Sequence, residues 1–277
     1  KIKRQSDDLS CLLGGDLLNQ IISSGFAARE IRAPFIGLYG ACSTISEGLM
    51  LGGMLVDGGF AELAACAASS HFSAAERQFR YPLEMGVQAV PSSQRTVTGA
   101  GSIIIQAAGE FRPGAGNVFE HVALTGGTIG SVEDFGITDA NNMGAAMAPA
   151  AFKTIKTHLS DYSRRVEDYD RIITGDLGIF GSDMLYELLR GEGIEIADRH
   201  EDCGKLMFSP EQNVNCGASG CGCAATVMSS WFLPKIESGE IRRVLFLATG
   251  ALMSPVSSLQ GESIPSIAHA VVIEHID

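Results

Sequence analysis

Short apolar runs alternate with longer helix-like segments along the whole chain. Most of the runs are bounded by glycine or polar turns, which is typical of strands buried on both faces between layers of helices. Strands that alternate with helices indicate an α/β fold. The pattern predicts strands at residues 9–13, 35–39, 63–68, 102–106, 118–124, 171–174, 244–248 and 270–274.

Three local patterns occur twice, in the same order, in the two parts of the chain. Each match is weak by itself because turns rich in glycine and alanine are common. Three matches in register indicate an internal duplication. The pairs are residues 13–16 with 173–176, residues 40–43 with 217–220, and residues 100–105 with 269–273.

The polar stretch at residues 160–170 separates the two predicted halves, 1–160 and 161–277. Residues 134–158 break the symmetry, because they contain a turn-like sequence followed by a helical pattern. Residues 1–10 resemble the end of an element that begins earlier. We therefore expect the first half to lack its opening strand and helix in this sequence.

The composition narrows the class of protein. The chain has 277 residues, of which 45% are hydrophobic, enough for a large buried core. A net charge of −12 with only 20 Lys and Arg argues against a nucleic-acid surface, which requires clustered cations. No apolar run reaches the ~20 residues of a membrane helix, and the polar start is unlike a signal peptide, so we expect a soluble intracellular protein. Seven scattered cysteines favour reduced thiols over disulfides, and we expect no metal site built from them.

Cys42 lies between a predicted strand and a helix that begins near Ile45. A thiol at a helix N-terminus has its thiolate stabilised by the helix dipole and by free backbone amides. Ser43, Thr44 or Ser46 could cap this helix, and the amides of its first turn could bind a carboxylate or an oxyanion. Spacing alone favours the other interpretation, in which Cys42 is a small residue that fills a tight turn.

The sequence around Cys42 resembles the thiolase and ketoacyl synthase superfamily, as does the sequence Asn-Cys-Gly-Ala-Ser at residues 215–219. Longer stretches are similar to one family within it, the stage V sporulation protein AD family of spore-forming bacteria. Together they cover nearly the whole chain. The matching segments are residues 15–20, 69–71, 75–82, 136–139, 147–151, 248–252, 254–255 and 264–269.

The resemblance implies a thiolase-like fold of two duplicated βα halves in an α-β-α-β-α layered arrangement, and a homodimer. It also implies that the protein binds dipicolinic acid (pyridine-2,6-dicarboxylic acid), also as its calcium chelate, without catalysing condensation. Members of the family help to load this small-molecule dicarboxylate into the developing spore with membrane proteins of the same operon. We therefore expect a cytoplasmic protein that associates peripherally with the spore inner membrane and has no cofactor of its own, apart from calcium carried with the ligand.

The catalytic pattern of the superfamily is incomplete here. Condensing enzymes need a nucleophilic cysteine with a histidine and either an asparagine or a second histidine. Asp176 stands where the catalytic histidine is expected, whereas Asn215 stands at the position of the asparagine. Only His71 and His269 fall at strand ends or loops that could face the turn. We expect the ligand to contact Cys42, Ser43, Thr44, His71, Asp176, Asn215 and His269.

Two alternatives to a binding protein stay open. The first is an acyltransferase or ketoacyl synthase with Cys42 as nucleophile, Asn215 for the oxyanion, and His71 or His269 as a displaced base. The second is a structural subunit with a vestigial pocket. Asp176 could ligate calcium with Asp16 and Asp139, although aspartates at strand ends more often hold turns.

Two other features have both a functional and a structural interpretation. Arg77 and Arg80 could bind a carboxylate, but with Glu76 they could equally form a solvated face or an ion pair between subunits. Trp231 lies in an apolar helical pattern with Phe232 and Leu233, and we expect it in the core.

Overall fold

The chain is described by a computed structural model that covers residues 8–79, 90–108 and 119–277. Arg80, one of the two arginines considered above, lies outside these residues. The strands are β1 Cys11–Gly15, β2 Phe35–Gly37, β3 Leu63–Ser70, β4 Arg95–Thr96, β5 Gly99–Gln106, β6 Val122–Thr128, β7 Arg171–Thr174, β8 His200–Asp202, β9 Ala218–Ser219, β10 Arg243–Ala251 and β11 Ser266–His275. The α-helices are α1 Ile22–Ile31, α2 Thr44–Asp57, α3 Phe72–Phe79, α4 Met143–Asp161, α5 Gly178–Arg190, α6 Cys203–Leu206, α7 Cys221–Val227, α8 Leu233–Glu237 and α9 Pro255–Leu259.

Two sheets carry the fold, and they repeat one topology. The first has the order β2-β1-β3-β5, and the second has the order β6-β11-β10-β7-β8. In each sheet a parallel set is followed by an antiparallel strand: β5 pairs antiparallel with β3, and β11 pairs antiparallel with β10. Thus β1, β2, β3 and β5 correspond to β7, β8, β10 and β11. The predicted duplication is confirmed by this correspondence.

The two sheets enclose a central layer of helices. Helix α2 contacts strands of both sheets, and α7 packs on β3 and β5 of the first. The main hydrophobic core lies in this layer and includes Ile45, Leu49 and Phe246. A second core lies between the five-stranded sheet and helices α4 and α5, and a small third core lies between α1 and the first sheet. The layers therefore follow the predicted α-β-α-β-α order.

Strand β6 belongs to the first part of the chain. It nevertheless pairs with β11 and is the outer strand of the second sheet. The short parallel pair of β4 and β9 links the two parts again, with Arg95 opposite Ala218. Of the residues that the structure describes, none belongs to a helix long and apolar enough to cross a bilayer. All seven cysteines are free and buried, as the sequence predicted.

Candidate functional site

Cys42 lies in a tight 3-10 turn, Ala41–Ser43, between β2 and α2. Ala41 has a φ of +50°, a left-handed conformation that is strained for a residue with a side chain. The Ser43 amide donates to the Gly40 carbonyl at 3.0 Å, and the Thr44 amide donates to the Ala41 carbonyl. The turn therefore projects Cys42 at the start of α2 but uses two amides that could otherwise bind an anion.

The hydroxyl groups of this turn also bond backwards. Ser43 Oγ donates to the Gly40 carbonyl at 2.6 Å, Thr44 Oγ1 donates to the Ala41 carbonyl at 2.7 Å, and Ser46 Oγ donates to the Ser43 carbonyl at 3.0 Å. The prediction that one of them caps α2 is wrong, because Ser43 occupies the N-cap without a side-chain cap bond. Ser43 and Thr44 are buried. Their expected contact with a ligand stays a prediction.

The Cys42 thiol and the Asp176 carboxyl group are direct neighbours, with the S–H placed to donate to the carboxylate. Asp176 follows β7, and its carboxylate also accepts the Gly220 amide at 2.9 Å and the Thr249 hydroxyl at 3.0 Å. The Gly220 amide also lies next to the Cys42 sulfur and lowers the pKa of the thiol, which partly offsets the other effects. Asp176 after β7, Thr249 within β10 and Gly220 before α7 therefore form one hydrogen-bonded cluster next to the Cys42 turn, all from the second half of the chain.

The electrostatics of this pair oppose a thiolate. Burial raises the pKa of the Cys42 thiol well above its usual value, and the negative charge of Asp176 raises it further. Burial also raises the pKa of Asp176, to about 6, although the hydrogen bonds that it accepts act in the opposite direction. In its ionised form Asp176 can accept the S–H of Cys42, and its negative charge opposes loss of that proton. A cysteine held as a thiol is a weak nucleophile.

The side-chain contacts that the structure gives for Asn215 and His269 are with groups other than Cys42 and Asp176. His71 follows β3 and is exposed. Asn215 is exposed, and its amide donates to the Val90 carbonyl at 3.0 Å. His269 lies in β11 opposite Ala248, accepts the Gly130 amide at 3.2 Å through Nδ1, and has its pKa lowered by burial. The residue that contacts Cys42 from the second-half turn is Gly220, five positions beyond Asn215.

The aspartates considered for calcium hold turns. Asp16 accepts the Leu18 amide and both the amide and hydroxyl of Ser24, each at 2.8 Å. Asp139 accepts the Asn141 amide at 2.9 Å. Within the described ranges, no three His, Cys, Asp or Glu side chains are grouped so that they could hold a metal ion. These contacts favour the turn interpretation of Asp16 and Asp139.

The structure also shows the surroundings of Arg77, Glu76 and Trp231. Arg77 is exposed on α3, while Glu76 is buried and accepts the Thr96 amide at 3.2 Å. The prediction that Trp231 lies in the core is wrong. Its side chain is 52% exposed, and the Lys235 ammonium group lies 4.8 Å from its ring centroid. The apolar pattern was right for Phe232 and Leu233, which are buried, but Trp231 projects from the other side of the helix.

Sequence reasoning missed three residues that shape the site. Gly220 and Thr249 contact Asp176 directly, and Asp202 accepts the Leu177 amide at 2.8 Å and the Gly178 amide at 3.0 Å. Asp202 thereby fixes the chain immediately after Asp176. Thr249 could have been found from the sequence, because it lies on the strand that corresponds to β3 of the first half. Asp202 is the last residue of β8, a three-residue strand with no clear sequence pattern.

Two cavities lie near the central layer, and Cys42 lines neither. The larger, of about 570 Å³, is bounded mainly by α2, β5 and β6. The smaller, of about 250 Å³, lies beside the Cys42 turn at Tyr39, and we call it the outer pocket. It is lined by Asn19, Gln20, Ile21, Tyr39, Gln78, Met253 and Ser254. Cys42 itself is only 6% exposed, so a ligand in the outer pocket would lie outside the thiol.

Solved structures share this architecture with low sequence identity. An OleA variant of Xanthomonas campestris superposes with a TM-score of 0.61 at 12% identity, covering 98% of this chain and 76% of that one. The 3-oxoacyl-[acyl-carrier-protein] synthase III of Aquifex aeolicus VF5 superposes with a TM-score of 0.57 at 9% identity, covering 98% and 79%. The fold is therefore that of the thiolase-like condensing enzymes.

Sequence comparison is more specific. Residues 1–274 match the family described as Stage V sporulation protein AD. The Stage V sporulation protein AD of Bacillus subtilis (strain 168) is 46% identical over 268 residues, which cover 97% of this chain and 76% of that protein. The chain belongs to the stage V sporulation protein AD family, a sporulation family with a thiolase-like fold.

Proposed function

We propose that the protein is a non-catalytic binding protein for dipicolinic acid, free or as its calcium chelate, and that it aids uptake of this dicarboxylate into the developing spore. Membership of a sporulation family supports the process. The contact between Cys42 and Asp176 carries the argument against condensation, because it places a carboxylate beside the thiol. In this proposal, membrane proteins of the same operon hold the protein at the spore inner membrane.

The chemistry of condensation shows why that contact matters. An acyl group moves onto a cysteine only when a thiolate attacks the thioester carbonyl, and a neighbouring base normally removes the thiol proton. The buried carboxylate of Asp176 accepts a hydrogen bond from the S–H, but its negative charge destabilises the thiolate that would form. The same charge would repel an acyl thioester's developing oxyanion. The arrangement thus opposes both the nucleophile and the intermediate.

One observation favours acyl transfer as a second candidate. The turn retains a cysteine at the start of a long helix, next to a residue with a left-handed backbone, and strain of this kind clusters at functional sites. An enzyme of this type would be the acyltransferase or ketoacyl synthase considered from the sequence, with Cys42 as the acyl acceptor.

Both candidates are tested on the purified chain. Incubation with acetyl-coenzyme A followed by intact-mass measurement should leave the protein unmodified, while titration calorimetry with dipicolinate should give saturable binding. The variant Cys42→Ala should keep its affinity within about tenfold, since one weak thiol contact contributes only ~1 kcal/mol. A stable acyl adduct that disappears in Cys42→Ala, together with no dipicolinate binding, would establish the acyltransferase instead.

We also propose that the protein is a homodimer that joins through strand β5. Among the residues that the structure describes, no strand pairs with the outer edge of β5. Its residues Ala100, Ser102 and Ile104 are exposed on the face away from the central helices. An unpaired strand edge readily pairs with another chain. Two copies related by a two-fold axis would place two β5 strands antiparallel and join the two first sheets.

A further inference from the structure

The outer pocket lies where four parts of the chain meet. Residues 19–21 follow β1, Tyr39 precedes the Cys42 turn, and Gln78 lies near the end of α3. Met253 and Ser254, which follow β10, complete the wall. Its volume of about 250 Å³ is below the ~300–1,000 Å³ of pockets for drug-sized ligands. The pocket therefore suits a small ligand, such as a single ring with short substituents.

One wall of the pocket holds a strained backbone. Gln20 and Ile21 are consecutive residues with φ values of +58° and +48°. The left-handed region is costly for any residue with a side chain, and most costly for a β-branched one such as isoleucine. The Ile21 side chain packs so closely on Gly37 that a Cβ there would lie 2.3 Å from Ile21 Cδ1. Packing against β2 thus holds this conformation, and strain that the surroundings enforce is typical of ligand sites.

The polar groups of the pocket are weakly engaged within the protein. The Tyr39 hydroxyl and the Gln78 amide both donate to the Leu17 carbonyl, each at 3.4 Å. Those distances are long for a hydrogen bond to a carbonyl. Gln78 Nε2 also donates to Asn19 Oδ1 at 3.0 Å. Burial raises the pKa of Tyr39 to about 12, so the phenol remains a donor at neutral pH. A carboxylate, which only accepts hydrogen bonds, would be a better partner for these donors.

The apolar groups of the pocket complement the polar ones. Ile21, Met253 and the ring of Tyr39 contribute apolar surface. A thioether and an aromatic ring both make favourable contacts with a second aromatic ring. The pocket thus combines neutral donors with surfaces suited to a flat ring.

We propose that the outer pocket, and not the space beside the Cys42 sulfur, is the binding site for a small aromatic carboxylate. This inference rests on the proposed function. It assigns the ligand of that function to Tyr39, Gln78 and Asn19. The interior of the turn is unsuitable, because its amides bond within the turn and Asp176 is a buried carboxylate that would repel an anion. Tyr39 lines the pocket and precedes Cys42 by three residues, so the pocket lies close to the thiol without including it.

The test uses the full chain and metal-free dipicolinate as the probe, with affinity measured by titration calorimetry. Tyr39→Phe removes one hydroxyl, and Gln78→Leu replaces one amide with an apolar group of similar size. Each should weaken binding about tenfold or more, as expected for a lost hydrogen bond to a charged group. Gln106→Leu is the matched control, because it makes the same replacement at the larger cavity, and it should bind like the unmodified protein.

Hydrogen exchange on the unmodified protein gives a measurement that needs no variant. Dipicolinate should slow exchange in peptides that contain residues 18–22 and 252–255, and leave residues 119–124 beside the larger cavity unchanged. If the unmodified chain shows no saturable binding, both the proposed function and this inference are overturned. If it binds, but Tyr39→Phe and Gln78→Leu retain full affinity or protection appears only at residues 119–124, the inference alone is overturned.

Discussion

At the scale of single residues, the reactivity of the Cys42 turn depends on Asp176, a carboxylate at the position where a catalytic histidine is expected. An imidazole beside a thiol can take its proton and then stabilise the thiolate as a cation. The carboxylate of Asp176 is fully buried and already accepts the Gly220 amide and the Thr249 hydroxyl. It can accept the S–H of Cys42 but gives no positive charge to a thiolate. The same backbone turn therefore presents a thiol that is held in its unreactive form.

Removing the charge of Asp176 should release the thiol. We expect Asp176→Asn to increase the rate of Cys42 alkylation by iodoacetamide at pH 8, on the order of tenfold, because one source of the raised thiol pKa is lost. The measurement is peptide mass spectrometry over time. Cys11, whose pKa is raised by burial, is the internal control and should react at the same rate in both proteins. An unchanged rate at Cys42 would mean that burial alone keeps it unreactive.

The residues of the site were predictable where a local motif fixes them. Cys42 and Asp176 each follow a strand within a segment that the duplication repeats, and the structure brings them into contact. Asn215 was placed by motif spacing alone, whereas in the structure its side chain donates to the Val90 carbonyl, and Gly220 donates to Asp176. The outer pocket was not predictable, because it combines four segments whose approach depends on packing between layers.

At the scale of elements, the close approach of β10 to the Cys42 turn depends on Gly250. A Cβ at this position would lie 2.2 Å from the Gly40 carbonyl oxygen and 3.2 Å from the Ser43 amide nitrogen. Both are backbone atoms, so they cannot move aside as a flexible side chain would. The glycine thus brings the strand that carries Thr249 against the turn that carries Cys42.

We expect Gly250→Ala to reduce the free energy of unfolding by about 2–3 kcal/mol, because the added methyl group separates β10 from the turn. Thermal or urea unfolding measures this loss. Gly25→Ala is the matched control: it lies within α1, and nothing is within 4 Å of its added Cβ. That variant should gain roughly 0.5–1 kcal/mol from the helix preference of alanine. Equal effects at the two positions would refute the role of close packing at Gly250.

Helix α4 is joined to its neighbours by a buried histidine. His158 Nδ1 lies 2.8 Å from Thr128 Oγ1 of β6, and Nε2 lies 2.6 Å from the Tyr169 hydroxyl. Burial lowers the pKa of His158 to about 4. The folded protein therefore holds the imidazole neutral at pH values where the unfolded chain protonates it.

This shift predicts how stability depends on pH. Between pH 6.5 and about 4 the unfolded state binds more protons at His158 than the folded state does, so the free energy of unfolding falls as the pH falls. We expect His158→Gln to lose less stability over that interval than the unmodified chain, by on the order of 1–3 kcal/mol. Urea unfolding at pH 7 and pH 4.5 measures the difference. Identical pH dependence in the two proteins would contradict a neutral buried His158.

Each of the eight predicted strands corresponds to a strand in the structure, because short apolar runs bounded by turns are typical of buried strands. Their ends shift by a few residues; β1, for example, begins at Cys11. The strands β4, β8 and β9 were not predicted, since they have only two or three residues. A strand this short has no period that a sequence pattern can reveal, and its position depends on the neighbouring chain.

At the scale of the whole molecule, the duplication made the architecture predictable. Two related halves, each with a mainly parallel sheet, bury their apolar faces most completely by stacking around a shared helical layer. The pairing of β6 with the second sheet was not predictable. The hydrophobic pattern of an antiparallel edge strand does not show which of the two sheets it joins. The sheet that does not receive β6 keeps β5 as an outer strand, and this difference bears on assembly.

The outer strand β5 gives the last prediction, a dimer of a defined kind. Ile104 is 40% exposed on β5, at one edge of the first sheet, and Ile36 is 43% exposed on β2, at the opposite edge. A two-fold axis makes the same surface contact itself, so a single lysine at position 104 would place two positive charges in one interface. Light scattering should give a mass near twice 29.2 kDa for the unmodified protein and for Ile36→Lys, and near 29.2 kDa for Ile104→Lys. A monomeric unmodified protein would rule out the dimer. If Ile36→Lys alone dissociated it, the interface would lie on β2 instead, because β2 is the other outer strand among the described strands of this sheet.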